Sequence, residues 1–250
     1  MANGMVQRGH SVVTIGGAPD RMAAELDPAV IHLAADRPAS GARTLARQRG
    51  ADVVHVHMTA AEMAAWLARP FQRAPIVATR HFARDRGSSA PVRALAHLAS
   101  RSITVDIAIS RFVADSISGP SRLIYNGVAD RPAAALEAGR VVMLQRLDTE
   151  KATDVGLRAW AASGLAESEW RLLVAGVGRQ RSILEALVAD LGVTNSVDFL
   201  GAVDDTDALL AGTSIFLAPA PAEPFGLAVV EAMAHGLPVV AAAGGAHHET

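Results

Sequence analysis

The sequence predicts an α/β protein built from two parallel-sheet domains. Three observations carry this. Short β-branched runs alternate with Ala- and Leu-rich stretches of helical length, the pattern of repeated βαβ units. Most of the strand runs are near-continuously apolar rather than strictly alternating, as expected where helices cover both faces of a sheet. The charge balance also changes sign midway: residues 1–125 hold 15 basic and 9 acidic side chains, residues 126–250 hold 8 and 16.

Taken in order, strands are expected at Ser11–Ile15, Val53–His57, Ile76–Thr79, Ile103–Ile109 and Leu123–Tyr125. Helices are expected between them at Ala39–Arg49, Ala60–Ala68, Pro91–Ser100 and Arg111–Ser118. Asn126-Gly127 is a turn signal, and the stretch from there to Arg140 has no strand character. The pattern resumes with strands at Val141–Leu144, Trp170–Ala175, Val197–Leu200, Ile215–Ala218 and Val239–Ala242. Helices near Thr153–Ala162, Gln180–Leu191, Asp205–Leu210 and Leu227–His235 separate these. Two Rossmann-like domains are therefore expected, residues 1–130 and 131–250. Both are expected to be incomplete. The opening MANGMVQRGH reads as a helix running into a strand, without the first strand and Gly-rich turn of a doubly wound domain. The chain stops where another helix is due.

Half of the 250 residues are hydrophobic, enough for a sizeable core. There is no cysteine, which excludes disulfides and thiolate metal sites. No apolar run reaches the ~18–20 residues of a membrane-spanning helix. The N-terminus lacks a secretory pattern, so a cytoplasmic protein is the expectation. The basic N-terminal half favours an anionic partner. Arg69, Arg73, Arg80, Arg84, Arg86 and Arg93 are close in sequence and could face an anionic membrane at its inner face, beside the plainer reading of a solvated basic surface. Arginine is the default cation: Lys151 is the only lysine among 23 basic residues.

The chemistry concentrates at strand ends. Glu223 lies in a loop, since Pro224 and Gly226 break any helix that would include it. A helix starting around Phe225–Leu227 carries Glu231 in its first turns. The amides of Gly226 and Leu227 at its start favour a phosphate. Carboxylates that accept hydroxyl protons, beside amides and cations for a diphosphate, suit a sugar nucleotide. The spacing of the two glutamates is by itself also that of surface residues. Arg146 and Lys151 flank the turn after Val141–Leu144 and could neutralise a diphosphate leaving group. Gly176 and Gly178 follow Trp170–Ala175, where glycine allows close backbone approach, to a ligand or for steric reasons only. His55 and His57 share one face of a strand, and His81 follows Ile76–Thr79. His55 and His57 are read as structural or cleft histidines, with no third metal ligand evident, and His247 and His248 as loop residues. Neither a nucleophile elbow nor a Walker loop is present.

Together these elements resemble the retaining GT-B glycosyltransferases of family four, which include bacterial mannosyl- and glucosyltransferases of lipid and polysaccharide assembly. The hallmark E-x-F-G-L…E-A-x-A-x-G-x-P-V-V reads EPFGLAVVEAMAHGLPVV from Glu223. The family's G-R-x-x-x-x-K-G element matches at Arg146 and Lys151 but departs at both glycines, with Gln145 and Ala152. Gly176-x-Gly178, Val197–Gly201, Ser110 and Asn126-Gly127-Val128 also match. The resemblance implies two domains facing across a cleft and a nucleotide-sugar donor. Glu223 and His81 would act near the reacting centre. Arg146, Lys151, Gly176, Gly178, Phe225, Gly226, Leu227 and Glu231 would bind the donor, with Glu231 on the ribose. It implies a glycan or lipid-linked hydroxyl acceptor, front-face attack with the leaving phosphate taking the acceptor's proton, and no metal, cofactor or nucleic acid. Two other readings stand beside it. One is a catalytically inactive nucleotide-binding remnant. The other is an inverting enzyme or a sugar-nucleotide epimerase on the same fold, which should lack the paired-glutamate element.

Overall fold

The computed structural model describes residues 1–83, 89–131, 133 and 139–250. Residues 132 and 134–138 of the inter-domain stretch, and Arg84 and Arg86 of the basic cluster, lie outside these. The chain forms two compact units, Met1–Ile109 with Val113–Ile124, and Ser110–Phe112 with Tyr125–Thr250.

The first unit opens with α1 (Ala2–Val6), β1 (Val13–Ile15), α2 (Pro19–Glu25) and β2 (Ile31–Leu33). β1 and β2 make a small parallel sheet, with Val13 opposite Ile31. Sequence reasoning missed α2 and β2. A three-residue strand carries too little pattern to register, and Ile31 is exposed. Next come α3 (Pro38–Arg47), β3 (Val54–His57), α4 (Met58–Ala68), β4 (Ile76–Arg80), α5 (Ala90–Ser100), β5 (Val105–Ala108), α6 (Arg111–Ala114, whose first two residues count with the second unit) and β6 (Ser121–Leu123). Strands β3 to β6 form a second parallel sheet in sequential order. Val54, Val56, Ile76 and Ala78 pack there against Ala65 of α4. A Cβ on Gly41 of α3 would stand 3.3 Å from that of Ala64 on α4, so small residues set the approach of these helices.

Two expected elements shift. α6 stops at Ala114 rather than Ser118. Beyond it the backbone tightens, with Ser116 N–H donating to Val113 O and Ile117 N–H to Ala114 O. β6 pairs through Ser121–Leu123, not through the apolar Leu123–Tyr125, because its register with Asp106–Ala108 falls two residues earlier. No helix among the described residues is long and apolar enough to cross a membrane. Arg80 is buried in β4, which removes it from the expected basic surface.

The second unit holds β7 (Arg140–Leu144), α7 (Thr153–Ala162), β8 (Arg171–Ala175), α8 (Arg181–Asp190), β9 (Val197–Gly201), α9 (Thr206–Ala211), β10 (Ile215–Ala218), α10 (Leu227–Ala234) and β11 (Val239–Ala241). Its five strands are parallel, in the order β11-β10-β7-β8-β9. Both faces are covered, as the apolar runs predict. Val141 and Met143 join Leu157 and Trp160 of α7 and Leu184 and Val188 of α8. Val142, between them and so on the opposite face, joins Leu210 of α9, Phe216, and Val229 and Ala232 of α10. Both units are thus parallel α/β arrangements of the Rossmann-like kind.

Candidate functional site

The strand order of the second unit fixes where a ligand site belongs. The chain runs outward from β7 to β9, then returns to lay β10 on the other side of β7. The loops leaving β7 and β10 diverge at this switch point, which opens a crevice at the strands' carboxyl ends. Lys151 stands at the end of one loop and Glu223 in the other. Their side chains meet, Lys151 Nζ to Glu223 Oε2, at 2.5 Å, and both are less than one-fifth exposed.

The β7 loop is shaped by the two positions that depart from the family pattern. Ala152, in place of a glycine, has φ 49° and ψ 40°. That left-handed conformation costs an L-residue about 1–2 kcal/mol and explains the glycine preference. Gln145, in place of the other glycine, uses its side chain as a tie. Its Nε2 donates to Lys151 O at 3.2 Å and to Thr153 Oγ1 at 2.9 Å, closing the loop onto the start of α7.

Gly176 and Gly178 press on the same loop. A Cβ on Gly176 would fall 1.9 Å from Gln145 O, and one on Gly178 2.3 Å from Leu147 O. Both glycines thus allow two backbones to touch and hold the β7 loop from behind. Arg146 faces its own loop, where its guanidinium pairs with Asp148 and, at 2.8 Å, with Glu150.

The Glu223 loop is held just as tightly. Phe225 is buried and packs on Tyr125, ring centroids 6.2 Å apart. Ser110 Oγ donates to Pro224 O at 2.6 Å. Gly226, with φ 85°, turns the chain into α10, and no side chain caps that helix. Sequence reasoning missed the segment that clamps this loop, 244–249. A Cβ on Gly245 would fall 2.5 Å from both N and O of Glu223, and Ala246 N–H donates to Glu223 O at 2.8 Å. The Glu249 carboxylate accepts the amides of Arg111 and Phe112 and the Tyr125 hydroxyl. Burial opposes its ionisation, but these donors prevail and hold its pKa below the usual value. The paired glycines were the available signal.

Glu231 is half-buried on α10. Burial, then the neighbouring Asp207 carboxylate, raises its pKa, against the pull of Arg131 and His235. Arg131 pairs with Asp207 at 3.0 Å, and buried His235 meets Asp207 at 3.1 Å.

His81 lies in the first unit, within a ladder at the carboxyl ends of β3 and β4. Its Nε2 is 2.9 Å from His57 Nδ1, and His55 Nε2 is 2.7 Å from Thr79 Oγ1. The His55 and His57 rings stack with centroids 4.5 Å apart. Burial, then the charges of His55 and His81, lowers the pKa of His57 to about 4. Burial lowers those of His55 and His81 too. The rings are therefore neutral at pH 7. Among the described residues, no group of three His, Asp or Glu has a metal-holding arrangement.

Comparison with known proteins shows the fold to be that of GT-B glycosyltransferases. The D-inositol 3-phosphate glycosyltransferase of Mycobacterium sp. is 30% identical over 231 aligned positions, covering 78% of this chain and 52% of the relative. The GDP-mannose-dependent alpha-(1-6)-phosphatidylinositol dimannoside mannosyltransferase of Mycobacterium tuberculosis is 41% identical over 98 residues, covering 38% of this chain and 25% of the relative. The chain spans about half or less of the length of the curated relatives it matches. Among solved structures, Anabaena HepE in complex with UDP and glucose superposes with a TM-score of 0.79 at 21% identity, covering 95% of this chain and 74% of that one. The sucrose-phosphate synthase of Thermosynechococcus elongatus gives 0.76 at 20% identity, covering 98% and 74%. Residues 138–250 match the family profile described as glycosyl transferases group 1, and residues 1–131 that of glycosyltransferase family 4. More than half of the sequence is matched by the second profile alone, and the chain belongs to glycosyltransferase family 4.

Proposed function

We propose that the protein moves a hexose from a nucleotide-sugar donor to a hydroxyl acceptor, a glycan or a lipid, with retention of anomeric configuration. One observation carries the reading: the only lysine of the chain pairs with the first glutamate of the E-x7-E element, at the switch point of the sheet. An ammonium has three donors. One engages Glu223, which leaves two for diphosphate oxygens. The Glu223 carboxylate keeps its second oxygen for a sugar hydroxyl, and Glu231 accepts from the ribose. The first amides of α10 add positive potential where the leaving group gains charge, and Arg146 would join them by exchanging Asp148 and Glu150 for diphosphate oxygens. These groups perform the task of a divalent metal, so none is needed. The bond from C1 to the diphosphate oxygen breaks, a bond from C1 to the acceptor oxygen forms on the same face, and the acceptor proton ends on the departing diphosphate. Donor use is supported by the names of similar proteins, which include a complex with UDP-glucose and a GDP-mannose-dependent enzyme. The second of these also acts on a phosphatidylinositol glycolipid by name. A lipid acceptor would suit exposed Arg73 and Arg93 at an anionic inner membrane face.

A thermal-shift panel of UDP-, GDP- and ADP-sugars tests this. A ligand at a hundred times its Kd stabilises by about 2.7 kcal/mol, so one base should raise Tm by several degrees and the others should not. No shift with any of them would sink the reading. A shift without turnover on any hydroxyl acceptor would favour the inactive remnant, and an inverted product anomer would remove retention.

A further inference from the structure

His247 has no role in the reading above. It sits in a short 3-10 turn, Gly245–His248, after β11. Its Nδ1 is 3.0 Å from Ala242 O. A carbonyl can only accept, so Nδ1 carries the proton, and Nε2 of the neutral ring keeps its lone pair.

The turn fixes where that lone pair lies. A Cβ on Gly244 would fall 2.1 Å from Pro221 O, and Gly245 and Ala246 are locked to the backbone of Glu223. Gly226 gives a reference point. A Cβ built there stands 3.3 Å from Cδ2 and 3.4 Å from Nε2 of His247, and 3.5 Å from Cγ of Glu223. The imidazole edge and the glutamate side chain thus flank one spot at the start of α10.

We propose that His247 is a specificity residue for the donor sugar: its Nε2 accepts a hydrogen bond from a hydroxyl of the hexose, next to Glu223. This rests on the donor reading above. A lone pair suits a hydroxyl and repels phosphate oxygens, so His247 contributes to binding of the sugar and not of the nucleotide. The side chain lies within seven residues of the glycines that clamp the loop, yet its own contribution is separable from theirs because its backbone partners are unchanged by substitution.

Calorimetric titration with UDP-glucose, UDP, GDP-mannose and GDP separates the possibilities. His247→Asn keeps a donor for Ala242 O but lacks the reach of Nε2. It should weaken the preferred nucleotide sugar about tenfold, a loss of ~1.4 kcal/mol, and the matching diphosphate less than twofold. His247→Gln restores an acceptor at the distance of Nε2 and should recover most of the loss. Equal weakening of sugar and diphosphate by His247→Asn, or no weakening of either, overturns the assignment. So does a Gln variant as weak as Asn while melting like the wild type. If the wild type binds no UDP-, GDP- or ADP-sugar, the donor reading itself fails, and this inference with it.

Discussion

Toward the carboxyl ends of β3 and β4, three imidazoles gather as neutral rings, whereas at the ends of β7 and β10 an ammonium and a carboxylate meet at 2.5 Å. Both groups sit where open parallel sheets place ligands. The difference lies in what the backbone supplies. His55 and His57 are carried on β3, and His81 follows β4 directly and meets His57. The ion pair is carried on two loops, and those loops are clamped by glycines whose missing side chains let backbone touch backbone. A charged pair that is largely shielded from water needs this fixed frame, because an unpaired partner would be costly.

The largest expected effect attacks that frame. Gly178→Ala would drive a Cβ into the carbonyl of Leu147, 2.3 Å away, with the C and N of the same residue at 2.4 and 2.6 Å. Backbone cannot yield cheaply, so a loss of more than about 3 kcal/mol is expected in denaturant unfolding. An unchanged midpoint would mean that the two loops do not touch. Next comes the pair itself. Glu223→Ala and Lys151→Ala should each lower donor turnover at least about 100-fold, roughly 2.7 kcal/mol in the transition state. Turnover within threefold of wild type would remove both residues from the chemistry.

The histidine ladder should respond to pH instead. His57 titrates at 6.5 when unfolded and about 4 when folded. Between those values the unfolded chain binds more protons, so stability falls as pH drops from 6.5 to about 4 and is flat below. Discounted for its partial exposure, the loss is about 1–2 kcal/mol. His57→Phe should abolish that part of the pH dependence, as followed by thermal melts across the window. The smallest effect is a gain. Ala152→Gly would relieve the left-handed strain and offset it with greater freedom of the unfolded chain, for a net increase of about 0.5–1 kcal/mol. Destabilisation by this change would show that Ala152 does not hold φ 49° in solution.

These contrasts also explain how much the amino-acid sequence revealed. The strands of the second unit were legible because helices cover both faces, so Val141–Leu144 and Ile215–Ala218 are uninterrupted apolar runs. Glu223, Lys151 and Arg146 were legible as motif residues, but only Lys151 and Glu223 are joined, since Arg146 is held by Asp148 and Glu150. That preference depends on two acidic neighbours whose orientation no spacing encodes. Gly176 and Gly178 were visible, yet their immediate contact is the β7 loop. The clamp from 244 to 249 was hidden because its partners lie about twenty residues or more away. β2 was hidden because three residues carry no period.

A chain with a single lysine has one further property. Apart from the α-amino group, Lys151 is the only amine an acylating reagent can find. Its mass shift therefore reports on one place in these 250 residues without any engineered label. A nucleotide sugar that occupies the Lys151–Glu223 crevice should shield this amine, and the fraction left unmodified in the peptide that holds Lys151 would read occupancy. The arginine-rich composition has in effect left the molecule with a built-in footprinting probe at its candidate site.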